Sequence, residues 1–370
     1  MVDVADVIVI GGGQAGLATA YTAVSRGVVP VVLDASSRPG GSWPRYYESL
    51  TLFSPARFSA LPGRPFAGDP GRYPLRDEVV DYLTAYTASL DADVRFGQHV
   101  TEVTQVPAGS QGAAGGGFLV STSDGSSLRA RAVVAASGGF CSPYRPALPG
   151  LASFSGRVLH SAEYRDPVPF AGSRVVVVGG GNSAVQIAVE LAAVATVSIA
   201  TRQPLRWQPQ RILGRDFHWW LTRTGLDSSR LGPRLSKGTV PVIDDGRYRA
   251  AIRAARPERR ALFRRVDGDD VVWPDGARER VDVIILATGF RPGLSYLAGT
   301  GALDGRGVPL HDGGVSTSVP GLGFVGLERQ RSFASATLRG VGRDAAHVLD
   351  ALLRQPAHRS RGTRGSRVAR

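Results

Sequence analysis

The chain has 370 residues, which is long enough for two domains, and 43% of them are hydrophobic, as in an ordinary globular protein. No stretch approaches the roughly 18 uninterrupted apolar residues of a membrane helix, so we predict no membrane span. The net charge is +13, but the sequence has no basic helix, zinc motif or aromatic-interleaved basic strand, and we predict no specific nucleic-acid partner. Cys141 is the only cysteine, which excludes a disulfide and a C-x-x-C pair.

The two ends of the chain have different characters. The N-terminal sequence MVDVADVIVI carries two aspartates and leads directly into the first predicted strand, so we expect no signal peptide and a cytoplasmic location. The last fourteen residues contain five arginines together with Gly and Ser and no aromatic residue. We therefore expect a disordered basic tail over 357–370.

A strand–helix–strand unit opens the chain, with predicted strands at 4–10 and 29–34 around a helix at 14–26. Apolar residues at helical spacing predict a second helix at 76–90. Short β segments are predicted over 94–136.

A second strand–helix–strand unit is predicted over 172–202. The stretch 203–270 is rich in Arg, Trp and Pro and gives no clear periodicity. Beyond it we predict a core strand within 281–292, a last strand within 319–327 and a last helix at 335–354.

Both strand–helix–strand units carry a glycine-rich turn where the first strand meets the helix: VIVIGGGQAG at 7–16 and VVVVGGGNSA at 175–184. In the pattern G-x-G-x-x-G/A, the first glycine permits the tight turn and the second lets the backbone approach a pyrophosphate. The third small residue lets the helix pack on the strand, so that the helix N-terminus faces the phosphates. We therefore predict two dinucleotide sites, with candidate residues Gly11, Gly13, Gln14, Ala15 and Gly16 in the first loop and Gly179, Gly181, Asn182, Ser183 and Ala184 in the second.

Opposite charges follow the two loops at the same distance, Asp34 after the first and Arg202 after the second. A carboxylate at the end of the second strand accepts hydrogen bonds from ribose hydroxyls, whereas a guanidinium accommodates a 2′-phosphate. The first loop is therefore predicted to bind the ADP half of FAD or NAD, with Ala35 next to Asp34. The second is predicted to bind NADPH, and Arg206 could share the role of Arg202.

These patterns predict an α/β fold with two Rossmann-like dinucleotide-binding domains, the NADPH domain being inserted into the FAD domain. We place the FAD-binding domain at 1–156 and 283–356. The NADPH-binding domain is placed at 157–282, with an irregular insert on the substrate side at about 203–270.

A longer motif lies just before the second loop. The sequence FSGRVLHSAEY fits F-x-G-x-x-x-H-x-x-x-Y/F through Phe154, Gly156, His160 and Tyr164. With this motif and the two loops, the chain resembles flavin-containing monooxygenases of the single-component, two-Rossmann type over about residues 3–355. Tyr164 favours the N- and S-oxygenating members, because Baeyer–Villiger monooxygenases have Trp in that place.

Two further turns carry the resemblance, Gly40-Gly41-Ser42-Trp43 and Ala287-Thr288-Gly289. The block SLTLFSPARFSALPG at 49–63 followed by YPLRDEVVDYL at 73–83 resembles a bacterial subgroup that includes proteins found with arsenic-resistance genes. The resemblance implies that the cofactors FAD and NADPH are also contacted by Gly41, Ser42, Trp43, Thr288 and Gly289.

One position departs from the family. Typical members carry an active-site asparagine a few residues after the Ser-Leu pair, and here that place holds Phe53 or Ser54, depending on the alignment. His160 is expected to be a structural hydrogen-bonding residue at the domain junction. The candidate catalytic residues are Phe53, Ser54, His218, Gln330 and Arg331, and no metal ligand set is predicted.

The resemblance implies that NADPH reduces the flavin and that O₂ adds at flavin C4a to give a hydroperoxide, which oxygenates a soft heteroatom (N, S or As) of a small molecule. Three alternatives stay open: a Baeyer–Villiger monooxygenase, an NAD(P)H-dependent flavin reductase or oxidase without oxygen insertion, and a flavin-bound scaffold with little turnover. The expected partners are a small-molecule substrate and O₂. The sequence leaves the oligomeric state open, with a homodimer as one alternative.

Overall fold

A computed structural model of the chain describes residues 4–109, 116–229 and 241–354. The basic tail predicted over 357–370 lies outside the described residues. No helix within these three ranges is long and apolar enough to cross a membrane.

The described residues form six α-helices: α1 (Gln14–Val24), α2 (Arg76–Ala88), α3 (Asn182–Leu191), α4 (Phe217–Arg223), α5 (Arg247–Arg253) and α6 (Leu338–Arg354). Their strands, in chain order, are β1 (Val4–Ile10), β2 (Val31–Leu33), β3 (Asp93–Arg95), β4 (Val100–Val106), β5 (Gly117–Thr122), β6 (Ser127–Ala135), β7 (Ser142–Pro143), β8 (Arg157–His160), β9 (Arg174–Val178), β10 (Thr196–Thr201), β11 (Trp207–Pro209), β12 (Arg211–Ile212), β13 (Arg215–Asp216), β14 (Val242–Asp244), β15 (Glu258–Ala261), β16 (Arg265–Asp267), β17 (Asp270–Val272), β18 (Arg278–Arg280), β19 (Val283–Leu286), β20 (Phe290–Arg291), β21 (His311–Asp312), β22 (Val315–Ser316) and β23 (Leu322–Phe324). Short 3₁₀ helices occupy Trp43–Arg45, Ala56–Phe58, Leu151–Ser153, Val168–Phe170 and Ser295–Thr300.

The first sheet has the strand order β21-β22-β23-β6-β1-β2-β3. In addition, β5 pairs with the first part of β6, and β4 pairs with β5. Its centre, from β23 to β3, is parallel. The residues Val7–Ile10 of β1 are all apolar and buried, as expected for a parallel strand that is covered on both faces. Helices α1, α2 and α6 pack on one face, and strands β4 and β5 with the 3₁₀ helix Ser295–Thr300 pack on the other.

The second sheet is parallel throughout, with the order β15-β10-β9-β19-β8. Helices α3 and α5 pack on one face. On the other face lies the small antiparallel sheet β16–β18, whose Trp273 is completely buried. The α/β fold with two Rossmann-like units that we predicted from the sequence is therefore confirmed.

The structure differs from the sequence analysis in the place of β19. The predicted boundary at 283 put this strand in the first unit, but Val283–Leu286 pairs with β8 and β9 in the second sheet. Four consecutive buried aliphatic residues suit either parallel sheet, so only the pairing of the strand shows to which sheet it belongs. The chain returns to the first unit after the turn 287–289, where β20 pairs antiparallel with the outgoing β7.

The stretch 203–270, which gave no periodicity, is only partly irregular. Its last part contains β15, which extends the second sheet beside β10. The remainder, hereafter the insert (203–257), contains the parallel pair β11–β14, the hairpin β12–β13, and helices α4 and α5.

The last helix begins later than predicted, at Leu338 instead of residue 335. Ala336 has φ +69°, in the left-handed region that a right-handed helix cannot include. The segment before α6 therefore forms a separate loop, 334–337, which lies near the first glycine-rich turn.

Candidate active site and cofactor sites

The first glycine-rich turn has the shape that a pyrophosphate site requires. A Cβ on Gly11 would lie 2.6 Å from the carbonyl oxygen of Ala136, and one on Gly16 would lie 1.7 Å from the carbonyl oxygen of Gly11. A Cβ on Gly13 would meet only the Cα of Gly41, at 3.8 Å. The first and third glycines are thus needed for packing, while the second leaves open space in front of the N-terminus of α1, where a phosphate fits.

Asp34 is held at the end of β2 beside this turn. Its Oδ2 accepts a hydrogen bond from the backbone N–H of Gly12, and its Oδ1 accepts one from Ser36 at 2.7 Å. The residue is 6% exposed, whereas the adjacent Ala35 is exposed. These bonds fix the carboxylate next to the loop, and each oxygen keeps a further lone pair for a ribose hydroxyl.

Three segments of the first unit converge on Gln14. Its side-chain Oε1 accepts from the indole N–H of Trp43 at 3.0 Å, and its Nε2 donates to the carbonyl of Ala336 at 2.5 Å. Gly41 has φ +57°, and a Cβ there would lie 2.6 Å from the Cα of Gly13. Ser42 instead bonds the Tyr46 hydroxyl at 3.0 Å, so its side chain points into its own turn. The candidates Gln14, Gly41 and Trp43 are thus brought together with loop 334–337.

The second glycine-rich turn repeats this geometry. A Cβ on Gly179 would lie 2.3 Å from the carbonyl oxygen of Ala287, and Ala184 is completely buried. A Cβ on Gly181 would have no atom of the described residues within 4 Å. The side chain of Asn182 accepts from the backbone N–H of Ile243 at 2.9 Å and thereby fastens the insert. Asn182 and Ser183 begin α3, so the phosphate contacts there fall to backbone N–H groups.

Arginines surround the end of β10, where a 2′-phosphate is expected. Arg202 and Arg206 are exposed, and Arg202 forms no ion pair with any residue in the described ranges. Arg259 on the neighbouring β15 donates from Nε to the Thr201 hydroxyl at 3.1 Å. The sequence analysis missed Arg259, because nothing in the sequence shows that β15 pairs with β10.

A cleft of about 740 Å³ lies between the two units. Residues 51–53 and Tyr73 line it from the first unit, and Gln186, Trp207 and parts of the insert line it from the second. Phe53 faces this cleft and is 40% exposed, whereas the Ser54 hydroxyl bonds that of Ser59 at 2.8 Å. Of the two alternatives for the missing asparagine, Phe53 is therefore the one that reaches the cleft.

A buried hydrogen-bond network centred on Asp216 joins the two units beside the cleft. Asp216 accepts from Tyr73 at 2.6 Å, from the amide of Gln210 at 2.7 Å and from the Nδ1 of His218 at 2.9 Å. Burial alone would raise the pKa of Asp216, but the hydrogen bonds from His218, Tyr73 and Gln210 outweigh it and hold that pKa below its usual value. Burial and the adjacent carboxylate raise the pKa of Tyr73 to about 12.

The other catalytic candidates do not line the cleft. His218 is 3% exposed and directs its ring at Asp216. Gln330 is 7% exposed, and its amide donates to the carbonyl of Phe324 at 2.7 Å. Arg331 contacts Asp344 at 3.4 Å. These groups are engaged in internal contacts, whereas Phe53 faces the cleft.

The motif FSGRVLHSAEY packs the junction between the units. His160 donates from Nε2 to the carbonyl of Gly289 at 3.0 Å, and its Nδ1 accepts from the N–H of Ala162 at 3.1 Å. This pairing requires a neutral ring, and burial lowers the pKa of His160. Tyr164 is completely buried and donates to Glu190 at 2.8 Å. Thr288 likewise donates to a backbone carbonyl, that of Tyr144.

No group of three or more His, Cys, Asp and Glu side chains able to hold a metal ion occurs in the described parts of the chain. The single cysteine, Cys141, is exposed. A dithiol-disulfide exchange within the chain is excluded, because it needs two cysteines.

Comparison with known proteins agrees with this geometry. Residues 8–221 match the family described as pyridine nucleotide-disulphide oxidoreductase. An uncharacterized CzcO-like oxidoreductase of Geobacillus kaustophilus is 34% identical over 95% of this chain and 99% of that protein. The indole-3-pyruvate monooxygenase YUCCA1 of Oryza sativa subsp. japonica is 32% identical over 80% of this chain and 79% of that protein.

A solved structure also matches this chain, that of a flavin-containing monooxygenase from Stenotrophomonas maltophilia. It matches with a TM-score of 0.82 and 33% identity over 95% of this chain and 98% of that one. Nearly the whole length of the chain thus corresponds to that of a flavin-containing monooxygenase. The chain belongs to the flavin-containing monooxygenase family, matches the pyridine nucleotide-disulphide oxidoreductase model, and is an oxidoreductase whose cofactors are FAD and NADPH.

Proposed function

We propose that the protein uses NADPH and FAD to insert one atom of O₂ into a soft heteroatom, N, S or As, of a small molecule. The cleft between the two units carries this proposal, because it is lined from both sides and contains the aromatic side chains of Phe53, Trp207 and Tyr248. Reduced flavin supplies the oxygen chemistry when it is bound. The role of the protein itself is to orient the reactants and to exclude water, and an aromatic lining suits both tasks.

The cofactor roles follow from the two turns. In this proposal the first turn, with Asp34, Gln14 and Trp43, binds FAD. The second turn, with Gly181 and Arg202, binds NADPH, and residues 157–286 form the NADPH-binding domain. What supports the assignment is the open space before Gly13 and Gly181 and the opposite charges of Asp34 and Arg202 beside those openings.

The charge of the cleft narrows the substrate class. Two carboxylates line it: Asp244, which accepts the backbone N–H of Tyr248 at 3.0 Å, and Asp245, which pairs with Arg247 at 3.6 Å. Arg211 and Arg249 also line it and form no ion pair within the described ranges. With three arginines against two carboxylates, the lining has a net positive charge, which disfavours a protonated amine, so a sulfide or another uncharged or anionic nucleophile is the better substrate.

The proposal is tested by mixing NADPH-reduced holoprotein with O₂ in a stopped-flow instrument and measuring H₂O₂ at the end. For a monooxygenase, oxygen is consumed well before the oxidised flavin spectrum returns, and methyl phenyl sulfide added in that interval is converted to its sulfoxide. Immediate return of the oxidised spectrum, with one H₂O₂ formed per NADPH and no sulfoxide, would exclude oxygen insertion.

That second result would support a reductase or oxidase. The observation that favours this candidate is Phe53, which places an aromatic ring in the cleft where typical members have an asparagine amide. A Phe53→Asn variant separates the two functions. If the missing amide limits oxygen transfer, this variant will release less H₂O₂ per NADPH than the natural chain.

A carbonyl substrate is the remaining candidate, because the rice relative is named for indole-3-pyruvate, which contains a ketone. Oxygen insertion beside a ketone would make the reaction of the Baeyer–Villiger type. Baeyer–Villiger monooxygenases have Trp at the motif position that the buried Tyr164 occupies here. Tyr164 therefore supports heteroatom oxygenation instead. Mass analysis of products from a ketone and a sulfide offered together distinguishes the two reactions.

A further inference from the structure

A buried ion pair joins the insert to the last helix. The guanidinium of Arg339, in the first turn of α6, donates from Nε to Asp227 Oδ2 at 2.9 Å and from Nη2 to Oδ1 at 2.8 Å. The two side chains are 12% and 3% exposed. Such a bidentate pair fixes direction as well as distance between the elements that it joins.

The same aspartate also holds the loop that precedes α6. The backbone carbonyl of Asp227 accepts from the N–H of Ala334 at 3.2 Å. On its other side this loop is held by the first glycine-rich turn, through the bond from Gln14 to the carbonyl of Ala336. Loop 334–337 is therefore fixed between the FAD-side turn and a residue of the insert.

The backbone of the loop needs this support. Ala336 has φ +69°, a strained conformation for a non-glycine residue, which persists only when its surroundings impose it. Arg339 and Gln14 supply those surroundings from opposite sides. Without the pair, the loop and the N-terminus of α6 could relax away from Gln14.

We propose that Asp227 is a positioning residue for FAD: through Arg339 and Ala334 it fixes loop 334–337 against the first glycine-rich turn, so that the insert of the NADPH-side unit completes the flavin site. The proposal rests on the assignment of the first turn to FAD. Its consequence is that the insert, which also lines the cleft, and the flavin site keep a fixed mutual position.

The test is the dissociation constant of FAD, measured by flavin fluorescence on apoprotein that is titrated with FAD. Asp227→Asn keeps the shape of the side chain and removes its charge, and we expect FAD to bind at least about tenfold more weakly, the size of a lost charge-assisted hydrogen bond. Arg339→Lys keeps the charge but not the two-pronged contact and is expected to give a smaller loss. The exchange Asp227→Arg with Arg339→Asp is expected to recover part of the affinity.

The matched control is Asp350→Asn on the same helix. Asp350 pairs with Arg26, just after α1, at 2.7 Å, but that pair is exposed and lies at the far end of α6. The FAD affinity of Asp350→Asn is expected to stay within twofold of that of the natural chain. Circular dichroism of each apoprotein shows whether a loss of affinity is only a loss of folding, and Arg339→Lys serves if Asp227→Asn does not fold.

Unchanged FAD affinity in folded Asp227→Asn or, where that variant does not fold, in Arg339→Lys would overturn the proposal, as would an equal loss in Asp350→Asn. Asp34→Ala distinguishes this failure from a wrong cofactor assignment. If Asp34→Ala also binds FAD normally, the first turn is not the FAD site and the proposal fails with it. If Asp34→Ala loses FAD while Asp227→Asn does not, only the positioning role is wrong.

Discussion

At the scale of single residues, we propose that the arginines at the end of β10 select the nicotinamide coenzyme. Within the described ranges Arg202 forms no ion pair at the strand end, and Arg259 donates to the neighbouring Thr201 hydroxyl. Both charges suit a 2′-phosphate, the group that distinguishes NADPH from NADH. On this proposal, coenzyme selectivity depends on two side chains that are far apart in sequence.

We predict that Arg202→Ala and Arg259→Ala each raise the KM for NADPH by about tenfold, because each removes one charge-assisted contact to the phosphate. The KM for NADH is expected to change less than twofold in both. Steady-state oxidation of the two coenzymes measures this. Equal changes for NADPH and NADH would show that these arginines do not contact the 2′-phosphate.

The charge of the cleft gives a second residue-scale prediction. Replacing Arg249 by Glu reverses one of its free charges, so we expect the KM of a protonated tertiary amine to fall by about tenfold relative to that of methyl phenyl sulfide. Arg253→Glu is the control, since Arg253 is on the same helix but does not line the cleft. The same shift in both variants would point to the net charge of the molecule and not to the cleft.

At the scale of elements, the turn between β9 and α3 contains one glycine that the fold requires and another that leaves room for a ligand. Gly179 has φ +146° and no room for a side chain, because of the carbonyl of Ala287. Gly181 precedes α3 with an ordinary extended backbone and open space in front of it. The two glycines thus differ in the way that their places in the motif predict: Gly179 makes the turn and Gly181 leaves room for a phosphate.

We predict that Gly181→Ala, which replaces the N-cap residue of α3, lowers the free energy of unfolding by no more than about 1 kcal/mol. It should nevertheless raise the KM for NADPH by at least about tenfold, because the new methyl group occupies the approach of the pyrophosphate. Gly179→Ala is expected to lower the free energy of unfolding by more than about 2 kcal/mol. Thermal unfolding and NADPH kinetics of both variants check this, and a stable Gly179→Ala protein would contradict it.

At the scale of the whole molecule, the two units are connected by a few specific contacts. The chain leaves the first unit at β7 and returns at β20, and these strands pair with each other. His160 joins the end of β8 to the return turn at Gly289. Asp216 and Asp227 tie the insert to the first unit on the side of the cleft and on the side of α6.

The His160 contact makes the junction sensitive to pH. Its folded-state pKa is lowered by burial, so the unfolded chain takes up a proton first, and the stability that the neutral ring supports is lost as pH falls below about 6.5. We predict that the Tm of the natural chain falls more steeply between pH 7 and pH 5 than the Tm of His160→Gln, because glutamine at position 160 does not titrate. His99→Gln, at an exposed histidine, should behave like the natural chain. Parallel pH profiles for all three proteins would contradict a role for His160.

The sequence determined the local features of the protein. Two glycine-rich turns, each between a buried strand and a helix, with Asp34 and Arg202 at matching distances, predicted two dinucleotide sites, because such turns depend on residues close together in the chain. The same patterns, with the motif around His160, predicted the fold class and the family. These features need no knowledge of which strands are neighbours.

Only the tertiary structure decided what depends on neighbours distant in sequence. The pairing of β19 places this strand in the second unit, contrary to the predicted boundary, and the pairing of β15 with β10 brings Arg259 to Thr201, next to Arg202 in the chain. The fold of the insert placed Phe53 on the cleft while it buried His218 against Asp216. Contacts such as Arg339 with Asp227 join segments more than a hundred residues apart, and no local periodicity records them. Burial and pairing in space, which are set by the whole chain, therefore distinguish the residues of the site from those that support it.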